Sequence, residues 1–197
     1  MVNERFDYEI ILKIIERGSK VLDLGCGDGE LLRLLREKND VKGVGIENDE
    51  EMIYKCVEKG VTVEHSDIDE GLPDFPDKFF DYVILNFTLQ ETKKPKEVIH
   101  ESLRVGKKVI VSFPNFAFYL VRYSIGILGK TPQTSALPYR WDETPNLHYF
   151  TISDFIEFCK AEKIIIDEFI GFTGRKVVKF IPNFFAEKVI FILRKEN

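Results

Sequence analysis

Apolar residues recur along this chain in two rhythms, and the places where one gives way to the other outline a fold. Over residues 5–17, Phe6, Ile10 and Ile14 stand at helical spacing. That spacing predicts an amphipathic helix, with Gly18 as its stop. Short apolar runs then predict strands at residues 20–24, 41–46, 61–65, 82–85 and 108–113. Helical patterns over 29–37, 49–59 and about 95–103 separate them, and a polar loop carrying Pro73 and Pro76 breaks the alternation once. Strands that alternate with helices imply crossover connections and a mainly parallel sheet covered on both faces. An α/β fold is therefore expected.

The rhythm changes beyond Phe113. Residues 115–149 form a long aromatic, Pro-bearing stretch with no clean alternation, which within a compact domain predicts a lid, a binding loop or extra helices. A helix over 153–161, capped by Thr151 or Ser153, and a strand over 164–172 restore regular structure. A last strand is predicted at 189–194, with no room behind it for a returning helix. It is expected to pair antiparallel, which makes the sheet mixed.

Composition narrows the functional classes. At 197 residues and 44% hydrophobic, the chain fits a single domain over 1–197 with an insert at about 115–149. A net charge of -5 argues against a nucleic-acid surface, because affinity for phosphate comes from clustered cations. Cys26, Cys56 and Cys159 are odd in number and scattered, so neither a disulfide framework nor a zinc site is suggested. His65 and His100 fall in separate elements, and no metal is expected. The opening residues are polar and amphipathic, and no stretch approaches ~18 uninterrupted apolar residues. A cytoplasmic protein without a membrane span is the expectation.

The candidate chemistry begins with "VLDLGCGDGE", residues 21–30, where an apolar strand stops at Asp23 and glycines follow at positions 25, 27 and 29. A glycine-rich turn between a strand and a helix lets a ligand approach bare backbone near unpaired N–H groups. The alternate-residue spacing differs from the GxGxxG of nicotinamide dinucleotide folds, which disfavours an oxidoreductase. Glu47 ends the second strand, Asp67 follows the third in "HSDID", and Asn86 ends the fourth in "YVILNFT". Taken singly, Glu47 is a solvated strand end and Asp67 a helix or turn cap. Together they converge on the carboxyl edge of a parallel sheet, where ligands bind, and a carboxylate at Glu47 suits the two hydroxyls of a ribose. Cys26 reads as a small residue packed beneath a ligand rather than a reactive thiol.

"VLDLGCGDG", the acid at Glu47, "SDID" and "FDYVILN" resemble the successive motifs of class I S-adenosylmethionine-dependent methyltransferases, over residues 20–114. The resemblance implies a three-layer Rossmann-like fold with a mostly parallel seven-stranded sheet and a final antiparallel strand. It implies S-adenosylmethionine, or S-adenosylhomocysteine, as the cofactor. Carried over by position, Asp23, Gly25, Cys26, Gly27 and Gly29 would cradle the methionine part and Glu47, with Asn48, the ribose. Asp67 and Ile68 would face the adenine, and Asn86 would lie beside the methionine ammonium. A narrower resemblance is carried by "DEGLPDFPDKFFDYVILNFTLQ", "VGKKVIVSFPNF" and above all "ALPYRWDETPNLHYFTISDF". These are similar to the MetW family of methionine biosynthesis, and that likeness implies homoserine O-acyltransferase as a protein partner.

Two readings stay open at this point: an S-adenosylmethionine-binding accessory of the acyltransferase, and a methyltransferase of an unidentified small molecule. Methyl transfer can run on proximity and desolvation alone, so the lack of a recognisable triad excludes neither. If a general base is needed, Tyr139, Glu143, His148 and Tyr149 of the insert are candidates, although none has a partner that specifies a mechanism. No catalytic residue is assigned.

Overall fold

The computed structural model describes residues 5–196. Its centre is five parallel strands: β1 (Lys20–Leu24), β2 (Lys42–Glu47), β3 (Thr62–His65), β4 (Phe80–Asn86) and β5 (Gly106–Pro114). Next come β6 (Ile164–Thr173), the short β7 (Lys176–Val178) and β8 (Lys188–Lys195). They form one sheet in the order β3-β2-β1-β4-β5-β8-β6-β7, in which β8 slots antiparallel between β5 and β6. The order reverses on either side of β1 and β4. That reversal leaves a crevice at their carboxyl ends.

Both faces of the sheet are buried, and alternate residues of each central strand serve opposite cores. Val83 and Leu85 of β4, Val109, Val111 and Phe113 of β5, and Phe191 of β8 pack in one core under α4 (Pro95–Val105) and α6 (Ile152–Ala161). Ile84, Ile110 and Ile190 point the other way, toward α1 (Phe6–Ile14) and α2 (Glu30–Asn39). Cys56 of α3 (Glu50–Glu58) closes that second layer. The three-layer arrangement expected from the alternating patterns is present.

Two expectations need correction, the strand count and the end of the first helix. The sheet has eight strands rather than seven, because the chain makes a hairpin at Gly174 (φ +57°) and pairs β7 on the outer edge of β6. β7 has three residues and none is buried, so it carries no apolar alternation to read. The first helix ends at Ile14 and not at residue 17, since Ile15 is already extended (ψ 122°) to turn the chain into β1. The stretch 115–149 holds one helix, α5 (Tyr119–Gly126), and no other regular element among its residues. Phe118, Val121 and Leu137 give it a small core of its own. Past β7 a four-residue helix, α7 (Pro182–Phe185), leads into β8. Thr151 is the cap of α6 and accepts from the Asp154 N–H, while the Asp154 carboxylate takes the Thr151 N–H in return.

The late strand β8 is the keystone of the main core. Phe191 is fully buried and lies within 4.8–5.7 Å, centroid to centroid, of the rings of Phe113, Phe155 and Phe169. Phe191→Ala should therefore lower stability by about 3–5 kcal/mol. Urea unfolding should show this as a reduced midpoint. Val177→Ala on the exposed edge strand should stay within about 0.5 kcal/mol.

Candidate functional site

A cavity of about 310 Å³ opens at the carboxyl ends of β1, β2, β3 and β4. Gly25, Gly27, Glu47, Asn48, Asp67, Ile68 and Asn86 line it, so seven of the ten residues expected to bind a cofactor meet there. Two backbone hydrogen bonds fold the glycine turn against β2, for the N–H groups of Gly25 and Cys26 both donate to the Ile46 carbonyl, at 2.9 and 3.1 Å. Gly25 has φ +69°, and a methyl group in place of its hydrogen would come within 2.6 Å of Thr88 Cγ2. Only glycine fits there. At Gly27 (φ +54°) no atom lies within 4 Å of where a Cβ would stand, so the backbone borders open space.

Glu47 is held in place by the main chain. Its Oε2 accepts from the Gly27 N–H at 2.8 Å, and its Oε1 accepts from the N–H groups of Asn48 and Asp49 at 2.9 and 3.1 Å. A carboxylate oxygen has two lone pairs, so Oε2 can accept one more donor while Oε1 is already doubly engaged. Asp67 caps a 3-10 turn over Ile68–Glu70 through one oxygen, Oδ1, which accepts from the Asp69 N–H at 2.9 Å. Ile68 places an apolar side chain on the same wall.

The other three expected residues stand just outside the cavity. Asp23 is 2% exposed, and its Oδ1 has no hydrogen-bond partner. Burial first, and then the nearby Glu47 charge, push its carboxyl up to about 7, against the opposing pull of Arg5. Cys26 turns beneath the glycine turn, where its sulfur fills the space over Gly45 and lies 3.9 Å from Cys56 Sγ. Burial raises its thiol far above the ordinary range, so it packs and does not react. Gly29 packs on Cys56 and Val61 and caps the start of α2.

Asn86 lines the cavity, yet its amide is already committed. Ser112 Oγ donates to its Oδ1 at 2.5 Å, and its Nδ2 donates to Asp7 Oδ2 at 3.1 Å, which ties α1 and β5 to the site. Asp7 in turn pairs with Arg5 at 2.7 Å, and the Arg5 guanidinium sits 4.5 Å from the centre of the Tyr8 ring.

Sequence reasoning missed part of the far wall: Ser66, Asp69, Phe87, Thr88, Glu91 and Thr92. Asp69 lay within the "SDID" motif but took no role. Its carboxylate accepts from the N–H groups of Lys93 and Lys94 and so clamps the loop on that side. Phe87 has φ +59°, a conformation that L residues avoid, and nothing in the sequence announces it. The insert candidates lie elsewhere. Tyr139 and Tyr149 face a separate cavity of about 520 Å³ within the insert, and His148 lines another beside Phe155. None of them, nor Glu143, lines the cavity at the strand ends.

The cavity's donor set fits S-adenosylmethionine. It offers a carboxylate with a spare lone pair, a side-chain-free stretch of backbone and an apolar wall, beside a buried acid whose oxygen lacks a donor. No group of three or more His, Cys, Asp or Glu residues suited to a metal ion occurs among the described residues. Likewise none of their helices is long and apolar enough to cross a membrane.

Comparisons with known proteins bear on the family and the fold. A family model described as "Methionine biosynthesis protein MetW" matches residues 5–193. A protein of Rhodopirellula baltica named "Bifunctional methionine biosynthesis protein MetXA/MetW" is 36% identical over 97% of the chain, which spans only 33% of that relative's length. A carboxy-S-adenosyl-L-methionine synthase of Campylobacter concisus is 26% identical over 74% of each chain. Among solved structures, a SAM-dependent methyltransferase of Thermotoga maritima superposes with a TM-score of 0.68 at 18% identity, over 98% of this chain and 90% of that one. That last likeness shows a shared Rossmann-like methyltransferase fold.

The burial of Asp23 sets a pH dependence whose sign is opposite to that of a salt-bridged carboxylate. Its carboxyl titrates near about 3.9 when unfolded and about 7 in the fold. Between those values the folded chain holds the extra proton, so stability falls as pH rises. Asp23→Asn should remove the penalty. Urea unfolding from pH 4.5 to 8 should show the variant gaining on the wild type by up to on the order of 4 kcal/mol. A constant difference would mean that the carboxylate is not isolated.

Proposed function

The chain belongs to the MetW family, and on that premise we propose that it binds S-adenosylmethionine, or S-adenosylhomocysteine, at the strand-end cavity and acts with homoserine O-acyltransferase in methionine biosynthesis. The ligand half of this reading rests on Glu47, a carboxylate oriented by the Gly27 N–H and its neighbours at the edge of a cavity bordered by bare backbone. Its free lone pair accepts a ribose hydroxyl, and its charge rejects a 2'-phosphate. Asp23 offers a buried negative charge where the methionine ammonium would lie, and the ligand's cationic end would favour its ionised form. Ile68 and Asp67 flank the adenine, one by apolar contact and the other through its uncommitted oxygen. Bound S-adenosylmethionine supplies a sulfonium with a transferable methyl group, and the residues assigned here bind and orient it.

The role half rests on the Rhodopirellula relative, whose name joins a MetXA part to a MetW part in one chain. Domains fused in one protein are held at high effective concentration, an arrangement that suits joint action. Tyr139, Glu143, His148 and Tyr149, the side chains considered as a general base, do not line the donor cavity, so no catalytic base is assigned for methyl transfer to a small molecule, the second reading.

Calorimetry should detect binding of S-adenosylmethionine that weakens in Glu47→Ala by about 1.5–3 kcal/mol, the range for a hydrogen bond to a charged group. Undiminished affinity would remove the proposed site. Acyl transfer by the purified acyltransferase should rise when the full chain is added, and the two proteins should co-elute. Absence of both association and any change in rate would remove the proposed role.

A further inference from the structure

Asp23 is a buried acid whose charge has no donor to share it. In register it stands between Gly45 of β2 and Ile84 of β4. Two residues nearer the carboxyl edge in each segment are Gly25, Glu47 and Asn86, all of which line the ligand cavity. Residues two apart along a strand share a face, so the acid lies one step beneath that row.

The donors that could neutralise it are engaged elsewhere. The Gly27 N–H goes to Glu47, and Asn86 Nδ2 goes to Asp7. Arg5, the cation that acts on Asp23, spends its guanidinium on Asp7, at 3.2 and 2.7 Å, and on the Tyr8 hydroxyl at 3.3 Å. The other groups that bear on Asp23 are Glu47 from β2, Tyr8 from α1 and Cys26 from the turn, with Asp7 and Asp28 beside Arg5. None of them donates to the orphaned Oδ1. A carboxylate left unpaired in such surroundings takes up a proton instead of holding its charge.

We propose that Asp23 is protonated in the empty site and gives its proton to solvent when the ligand's ammonium arrives, so that binding of S-adenosylmethionine releases a proton. This coupling rests on the ligand and site assigned above. The O–H bond of the acid breaks, the proton leaves to water or buffer, and the carboxylate left behind pairs with the ammonium, which keeps its own hydrogens. The ligand prefers the ionised acid and the empty fold the neutral one. Affinity therefore rises with pH until the empty-site carboxyl has titrated, near about 7, and levels off beyond it. Acidification lowers occupancy at a fixed ligand concentration, which makes the site sensitive to pH as well as to the ligand. A nucleoside without the amino-acid part brings no ammonium and leaves the proton where it is.

Calorimetry of the full chain with S-adenosylhomocysteine, run in two buffers of different ionisation enthalpy, counts the protons released. At pH 6 the count should be about one per ligand, at pH 8 close to zero, and affinity should rise roughly tenfold or more between pH 5.5 and 7.5. Asp23→Asn should abolish both effects. With 5'-methylthioadenosine, which lacks the amino-acid part, the wild type should release no proton, and this arm holds even if the variant fails to fold. His65, opposite Glu47 in register, is kept in the variant and controls for an imidazole as the source. If S-adenosylhomocysteine binds with heats independent of buffer at pH 6, Asp23 carries no proton in the empty site; the coupling is then wrong and the binding reading survives. Proton release that persists in Asp23→Asn, or that appears equally with 5'-methylthioadenosine, assigns it to another group and overturns the proposal. If S-adenosylhomocysteine does not bind at all, both fall.

Discussion

The junction of β1 with β2 and the glycine turn governs the rest of the site. Parallel pairing sets Leu24 opposite Ile46, and the Ile46 carbonyl then receives the first two N–H groups of the turn. One residue on, Glu47 takes the N–H of Gly27. The strand register therefore decides where the carboxylate stands and where the bare backbone passes, and a slip of one residue would reverse the faces of β2. Gly25 can make this turn because it lacks the carbon that would strike Thr88. Cys26 can tuck beneath it because Gly45 leaves room for its sulfur.

That geometry carries an electrostatic cost. Asp23 is buried without a donor to Oδ1, and Glu47 is close enough to disfavour its ionisation. Buried polar atoms are normally satisfied, and an exception at the ligand-binding edge of a parallel sheet is where function would leave one. The same edge is braced from behind by Asn86, which joins Asp7 of α1 to Ser112 of β5. The first helix and the fifth strand are thus tied to one residue of the cavity wall. Exposed aromatics follow the opposite logic: the insert buries Phe118 but leaves Tyr123 and Trp141 to solvent.

Much of the fold could be read in advance because its central strands carry their signal locally. The runs at 20–24, 41–46 and 108–113 are apolar and fall close to β1, β2 and β5, and the antiparallel placement of the last strand followed from the lack of any helix behind it. What escaped lacked a local signal. β7 pairs through three unburied residues, and α5 turns its apolar side chains outward, so neither shows the expected alternation. The site divided in the same way. Glu47, Asp67 and Asn86 were legible as polar stops at strand ends, whereas Thr88 matters only through its contact with Gly25, 63 positions away along the chain. Cys26, expected to pack beneath a ligand, turns its sulfur under the glycine turn, whereas Gly29 lies against Cys56 and Val61, neighbours that spacing within the motif does not encode.

The central claim is that Asp23, the glycine turn and Glu47 together hold S-adenosylmethionine. A crystal structure of the full chain grown with S-adenosylhomocysteine tests it most directly. The account predicts ligand density between Gly27 and Asp67, with a ribose hydroxyl within hydrogen-bond distance of Glu47 Oε2 and the methionine ammonium on the Asp23 side. Density elsewhere on the protein, or a saturated crystal with this cavity empty, would contradict it.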